Sequence, residues 1–122
     1  MLKNKSSIVS ALKYAAPYIR LFKNKIFVIK VGGELFTDKV LTRKLIEQIA
    51  ILQQLGIRII LIHGGGIQST QMASSLGIEA QFVEGRRITD AKSIEIATMV
   101  LNGKINTQIL AVAREFDLNA IG

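Results

Sequence analysis

The sequence predicts an α/β fold built on a mainly parallel sheet, and three observations carry that reading. Two short β-branched apolar runs, Ile26-Phe27-Val28-Ile29-Lys30-Val31 and Ile57-Arg58-Ile59-Ile60-Leu61-Ile62, have the nearly continuous hydrophobicity of strands buried on both faces. Amphipathic helical patterns follow each of them. Each run also ends in glycines, Gly32-Gly33 and Gly64-Gly65-Gly66. The order strand, loop, helix, strand, loop, helix calls for parallel pairing with right-handed crossovers.

The elements follow in order. Residues 1–25 read as an amphipathic helix with Ile8, Ala11, Leu12, Ala15 and Ile19 at helical spacing, capped by Ser6 or Ser7. Pro17 is expected to kink or end it. After the first strand a helix is expected from about Leu41 to Leu55, with Leu45, Ile46, Ile49 and Leu52 on one face and Gly56 as its stop. The second strand is followed by a helix from about Ile67 to Leu76, ending at Gly77. Phe82-Val83 reads as a short strand. Asp90 can cap a last helix, whose apolar stripe is Ile94, Ala97, Thr98, Leu101, Ile105, Ile109, Val112 and Phe116. Asp117-Leu118-Asn119 makes a turn, and Ala120-Ile121-Gly122 looks like the opening of another strand. A pattern that stops there reads as one α/β lobe cut from a longer chain.

Composition narrows the function classes. The 122 residues are 49% hydrophobic and 20% charged, typical of a folded domain and unlike a disordered tail. The absence of cysteine excludes a disulfide framework and a thiolate metal site, and suits a reducing cytosol. No apolar run approaches the roughly 18–20 residues of a spanning helix, so no membrane partner is expected. The net charge of +7 invites a nucleic-acid reading, but its distribution argues against one. Residues 1–25 hold six basic side chains and no acid, whereas the remaining 97 carry ten basic and nine acidic ones. The basic arm also resembles a transit peptide, but those are Arg-rich, and this arm has Arg20 alone.

Two glycine clusters at the carboxyl ends of neighbouring parallel strands lie where open α/β sheets bind ligands. Glycine lets backbone amides approach an anion closely, and the helix after Gly66 adds the positive end of its dipole. Either cluster could instead serve as a tight turn. A Walker A loop, a dinucleotide fingerprint (its third glycine would fall at Ser69) and a nucleophile elbow are all missing. His63, the only histidine, reads as a loop-orienting group. Lys30 is the sharper signal. An ammonium in a strand expected to be buried is expensive unless an anion compensates it, and it stands two residues before the first glycine pair.

Val28-Ile29-Lys30-Val31-Gly32-Gly33, Ile62-His63-Gly64-Gly65-Gly66 and Gly85-Arg86-Arg87-Ile88-Thr89-Asp90, in this order and spacing, resemble the amino acid kinase family. Within it they resemble the branch that phosphorylates N-acetyl-L-glutamate on the route to arginine. The resemblance runs from about Ala11 to Gly122 and implies a three-layer αβα sandwich of which this is the N-terminal lobe. Residues 26–122 would form the acylamino-acid-binding part, ending before the nucleotide-binding lobe. By resemblance, Lys30 is the catalytic group that stabilises the transferred phosphoryl. Gly32, Gly33 and Gly64 would bind phosphate, while Gly65, Gly66 and Arg87 would bind substrate, Arg87 gripping the α-carboxylate. ATP and Mg2+ are the implied cofactors, with no metal ligand assigned in this chain.

The nucleophile would be a carboxylate already ionised at neutral pH, so no general base is needed. The basic helix, with Tyr14-Ala15-Ala16-Pro17-Tyr18-Ile19-Arg20, looks like the segment that interlaces dimers in hexameric, arginine-inhibited members. That implies a homo-oligomer, dimer or hexamer, with L-arginine as an inhibitor. Glu34 departs from the small or amide residue usual after the second glycine. The rival readings are the kinase-like domain of an acetylglutamate synthase or of a fused kinase–synthase, and a non-catalytic sensing module.

Overall fold

The computed structural model describes residues 2–78, 82–88 and 90–122, without the side chains of residues 2–5 and 87. The elements are α1 (Leu2–Phe22), β1 (Ile26–Val31), a 3-10 turn (Gly33–Thr37), α2 (Lys39–Gln54), β2 (Arg58–His63) and α3 (Gly66–Ser75). A hairpin of β3 (Phe82–Val83) and β4 (Arg86–Arg87) follows. The last long helix comes in three parts: α4 (Ala91–Thr98), a π-helical segment (Met99–Ile105) and α5 (Asn106–Glu115).

β1 and β2 pair in parallel, from Ile26 opposite Arg58 to Val31 opposite His63, as the hydrophobic runs require. Their α/β connection is bounded by chemistry visible in the sequence. The Asp38 carboxylate accepts from the amides of Val40 and Leu41 to start α2. Gly56, at φ +85°, ends the helix in the left-handed conformation that glycine adopts without penalty.

One face of the pair carries Ile29, Val31, Ile59 and Leu61, which pack on a core formed by Phe36, Ile46, Ile49, Ala73, Ile96, Val100, Ile105, Ile109 and Ala113. Fully burying an Ile or Val is worth about 1.5–3 kcal/mol, so this cluster is the main favourable contribution to the fold. The opposite face is open. Ile26, Val28, Ile60 and Ile62 are about half exposed or more, so among the described residues the strands are covered on one face, not on both as their composition suggested.

Other expectations are also revised. α1 runs from Leu2, which leaves Ser6 and Ser7 inside the helix instead of at its cap, and Pro17 lies within it without ending it. The proline ring removes one amide from the ladder, and the carbonyl it leaves at exposed Lys13 is free to meet water. Ala120–Gly122 form no strand. They line the wall of a cavity of about 960 Å³ whose other lining includes Ile59, Ile60 and Leu61. Because these are consecutive residues of β2, the cavity follows that strand's unpaired edge.

The last helix differs in phase from the stripe read in the sequence. Its buried residues are Ser93, Ile96, Val100, Ile105, Ile109 and Ala113, whereas Ile94 is 55% exposed. The π-helical segment is the cause. A wider turn places residues five apart on one face, so Val100 and Ile105 both point into the core.

Candidate functional site

The two glycine clusters meet. A Cβ on Gly33 would lie 2.7 Å from the Gly65 amide nitrogen and 2.8 Å from the Gly64 carbonyl, distances no side chain tolerates. The Gly64 amide donates to the Val31 carbonyl at 3.1 Å, which extends the parallel pairing just past the strands and holds the loops side by side. Gly65 is in turn pressed on the π-helical segment, where a Cβ would stand 2.7 Å from both Ile105 Cδ1 and Leu101 Cδ2. Close approach, beyond any turn requirement, explains glycine at positions 33 and 65.

α3 starts directly from the second loop with no side-chain cap, and its first recorded amide bond is Ser69 N–H to Gly65 O at 2.8 Å. Uncapped first-turn amides and the helix dipole favour an anion there. Gly66 has open space around its Cα, so the backbone is accessible from that side. This arrangement has the chemistry to hold negatively charged oxygens.

Two side chains fix the loops from below. Gln68, 6% exposed, donates from Nε2 to the Gly33 carbonyl at 2.6 Å, while its Oε1 is buried without a partner. His63 packs edge-on against Phe36, ring centroids 5.7 Å apart, with Nδ1 3.3 Å from the Gly64 carbonyl oxygen. The loop-orienting part expected of His63 matches that position. Gln68 was not singled out from sequence; the available signal was a carboxamide in the first turn of the helix that grows out of three glycines.

Lys30 is on strand β1 opposite Ile62, at the end of the sheet that carries the glycine loops. Its side chain is exposed on the open face, so the burial expected to make its charge expensive is not found among the described residues. The alternation of the strand puts it on the same face as Val28 and opposite to Val31. Glu34, an exposed residue of the 3-10 turn, folds its carboxylate back over Gly32. The Arg87 backbone pairs with Phe82 in the hairpin, and its side chain lies outside the described residues. Glu84 and Gly85, at φ 49° and 75°, form that hairpin's two-residue turn, a pattern readable from Glu-Gly between two short apolar or basic pairs.

A Cβ at Gly33 would collide with the other loop and one at Gly65 with Leu101 and Ile105, so a side chain at either position would push the loops apart. The site does not form a protein cage for a divalent ion. Among the described residues no three His, Cys, Asp or Glu side chains come together. Nor is any described helix long and apolar enough to cross a membrane.

Parallel strands with apposed glycine loops at their carboxyl ends define an α/β lobe with main-chain amides and a helix start gathered at one end of the sheet. The sequence matches the amino acid kinase family model over residues 25–122, and the chain belongs to that family. It is 47% identical over 118 residues to acetylglutamate kinase of Campylobacter hominis, covering 97% of this chain and 42% of that one. Acetylglutamate kinase of Chlorobium chlorochromatii is 41% identical over 117 residues, with 96% and 41% covered. The chain thus spans about two fifths of the length of these curated relatives. Among solved structures, N-acetylglutamate synthase from Neisseria gonorrhoeae, in complex with coenzyme A and N-acetyl-glutamate, superposes with a TM-score of 0.77 at 28% identity. That superposition covers 93% of this chain and 26% of the synthase.

Proposed function

We propose that this chain is the N-terminal, acylamino-acid-binding part of an acetylglutamate kinase, which transfers the γ-phosphoryl group of ATP to the γ-carboxylate of N-acetyl-L-glutamate. The observation that carries this reading is the contact between the Gly33 and Gly64–Gly65 loops at the carboxyl ends of paired parallel strands. The identity to acetylglutamate kinases supports the choice of substrate.

In this reading a carboxylate oxygen attacks the γ-phosphorus, the bond to the ADP oxygen breaks, and an acyl phosphate and ADP result. The carboxylate is ionised at neutral pH, so no proton has to be removed. The chain's contribution is to hold two anions in line and offset their repulsion. Gly32, Gly33 and Gly64 hold phosphoryl oxygens through their amides; Gly65, Gly66 and Arg87 bind the acylamino acid; Lys30 neutralises charge as it develops. Magnesium would accompany the nucleotide, whose own site is assigned to a second lobe. α1 docks on another copy, giving a cytoplasmic homo-oligomer.

A second reading is favoured by the likeness to the Neisseria synthase, a structure of which is also described in complex with L-arginine. Here the same lobe would bind acylamino acid or arginine within a synthase or fused kinase–synthase. Calorimetric titration separates the readings. The kinase reading expects N-acetyl-L-glutamate to bind the chain, no turnover by the chain alone, and acyl phosphate, trapped with hydroxylamine, once a nucleotide-binding half is supplied. Binding of L-arginine without any such turnover would favour the second reading, and absence of N-acetyl-L-glutamate binding at millimolar concentration would sink the first.

A further inference from the structure

We infer that Gln68 is a positioning residue that locks the two glycine loops in register, setting the width of the anion-binding mouth. Its affinity consequence rests on the functional reading above, whereas the lock itself does not. Gln68 belongs to α3, which grows out of the Gly64–Gly66 loop, and its Nε2 donates to the carbonyl of Gly33 in the other loop at 2.6 Å. That bond joins residues 35 apart in sequence and lies in the buried floor of the site. The Gly64 amide–Val31 carbonyl bond sets the register at the base of the loops, and the backbones of Gly33 and Gly64–Gly65 touch beyond it. The Gln68 bond adds a directed tie at Gly33 itself, two residues past Val31.

The second observation concerns the other half of the same carboxamide. Gln68 is 6% exposed, and Oε1 is left without a hydrogen-bond partner. A methionine would fill the same volume without burying an unpaired oxygen, so packing alone does not account for glutamine here. What the carboxamide supplies that methionine lacks is the donor to Gly33. With that bond in place, the Gly33 loop and the start of α3 are tied together as one set. Without it, the first loop loses its side-chain tie to α3.

The test uses Gln68→Met, Gln68→Glu and the control Ser69→Ala, a neighbouring residue on α3 that is equally buried. The carbonyl 13C shift of Gly33 and the amide exchange of Gly33 and Gly65 report on the lock; calorimetry with N-acetyl-L-glutamate reports on the site. Gln68→Met is expected to displace the Gly33 carbonyl signal and speed exchange at both glycines about tenfold or more. α5 exchange should stay within about twofold, and affinity should fall about tenfold. In Gln68→Glu the Gly33 signal should be displaced at neutral pH and return as acidification protonates the carboxyl and restores a donor. That return keeps the inference testable even if the methionine variant does not fold. Unchanged Gly33 signals, uniform loosening of the whole chain, or an equal affinity loss in Ser69→Ala would overturn it. If the wild-type chain binds no N-acetyl-L-glutamate, the functional reading fails, and the lock is still decided by the Gly33 signals.

Discussion

Val100 and Ile105 are five residues apart and are both almost fully buried in the same core, at 0% and 1% exposure. In a regular α-helix a five-residue step rotates the side chain well off the starting face; in the π-helical segment Met99–Ile105 it returns to it. The segment therefore joins two helical stripes that would otherwise be out of phase, Ser93-Ile96-Val100 before it and Ile105-Ile109-Ala113 after it.

This phase shift separates residues that look equivalent in sequence. Ile105→Ala is expected to cost about 2–5 kcal/mol, the range for emptying a well-packed aliphatic site. Ile94→Ala, at a position 55% exposed, should cost about 0.5 kcal/mol or less. Urea unfolding of both variants checks the order, and near-equal losses would contradict the observed phase.

Gly65 lies on that segment, so it couples the core to the mouth of the site. Gly65→Ala would drive a methyl against Leu101 and Ile105 and is expected to destabilise by about 1–3 kcal/mol. Because the obstacles are side-chain ends, adding Leu101→Ala should recover part of the loss, a non-additivity that a double-mutant cycle measures. Gly33→Ala has no such remedy, since its obstacle is the Gly64–Gly65 backbone. It should cost more stability than Gly65→Ala and respond to no single truncation.

The strands, the parallel order and the Gly56 stop of α2 were legible because hydrophobic runs and a terminal glycine act locally; the helix was read from about Leu41, and its Asp38 cap was not singled out. The helix starting at Asp90 was legible for the same reason. What escaped the sequence is tertiary. An open sheet face and a covered one have the same composition in β1 and β2, so one-sided burial of Ile29 and Val31 could not be read, nor could the exposure of Lys30. The π-helical insertion depends on packing over Gly65 and is silent in an apolar periodicity that Leu101 and Ile105 continue by themselves. The contact between the glycine loops was inferable in outline from their matching places after paired strands. The Gln68 bond beneath them, across 35 residues, was not.

Acid should loosen α4 at its start. Hydrogen bonds from Ser93, hydroxyl and amide, hold the Asp90 carboxyl below its ordinary value of 3.8. A folded-state value below the unfolded one means that the cap stabilises above pH of about 4, and that this contribution is lost as pH falls through the lower folded value. Amide protection at Ser93 and Ile94, taken relative to the intrinsic exchange rate at each pH, should fall on acidification ahead of protection in α5. Asp90→Asn, which keeps an acceptor but does not titrate, should flatten that early fall.

Lys30 offers the cleanest separation of chemistry from folding. Its side chain is exposed, so Lys30→Met should change stability by no more than about 0.5 kcal/mol. If the ammonium neutralises developing phosphoryl charge, the same substitution lowers kcat by about 10²–10³ when a nucleotide-binding half is supplied, with little change in KM for N-acetyl-L-glutamate. A proportional rise in KM at constant kcat would instead make Lys30 a ground-state binding group.

The assembly reading rests on α1, whose Ile8, Leu12 and Leu21 are 54%, 60% and 62% exposed in this chain. A helix this long with that much apolar surface in water is stabilised when the surface finds a partner. The arm carries no acidic side chain, so a second α1 packed close along its whole length would repel it, and docking is better satisfied by the near-neutral body of another copy. Light scattering of the chain should then show a mass above the 13.4 kDa protomer that falls to one protomer on removal of residues 1–22. Leu12→Asp should do the same while leaving the unfolding midpoint of the monomeric body unchanged. Raised salt should weaken the assembly little, because apolar burial is insensitive to screening. A complex that dissociates steeply with salt would point to the basic face of α1, not to Ile8, Leu12 and Leu21, as the adhesive surface.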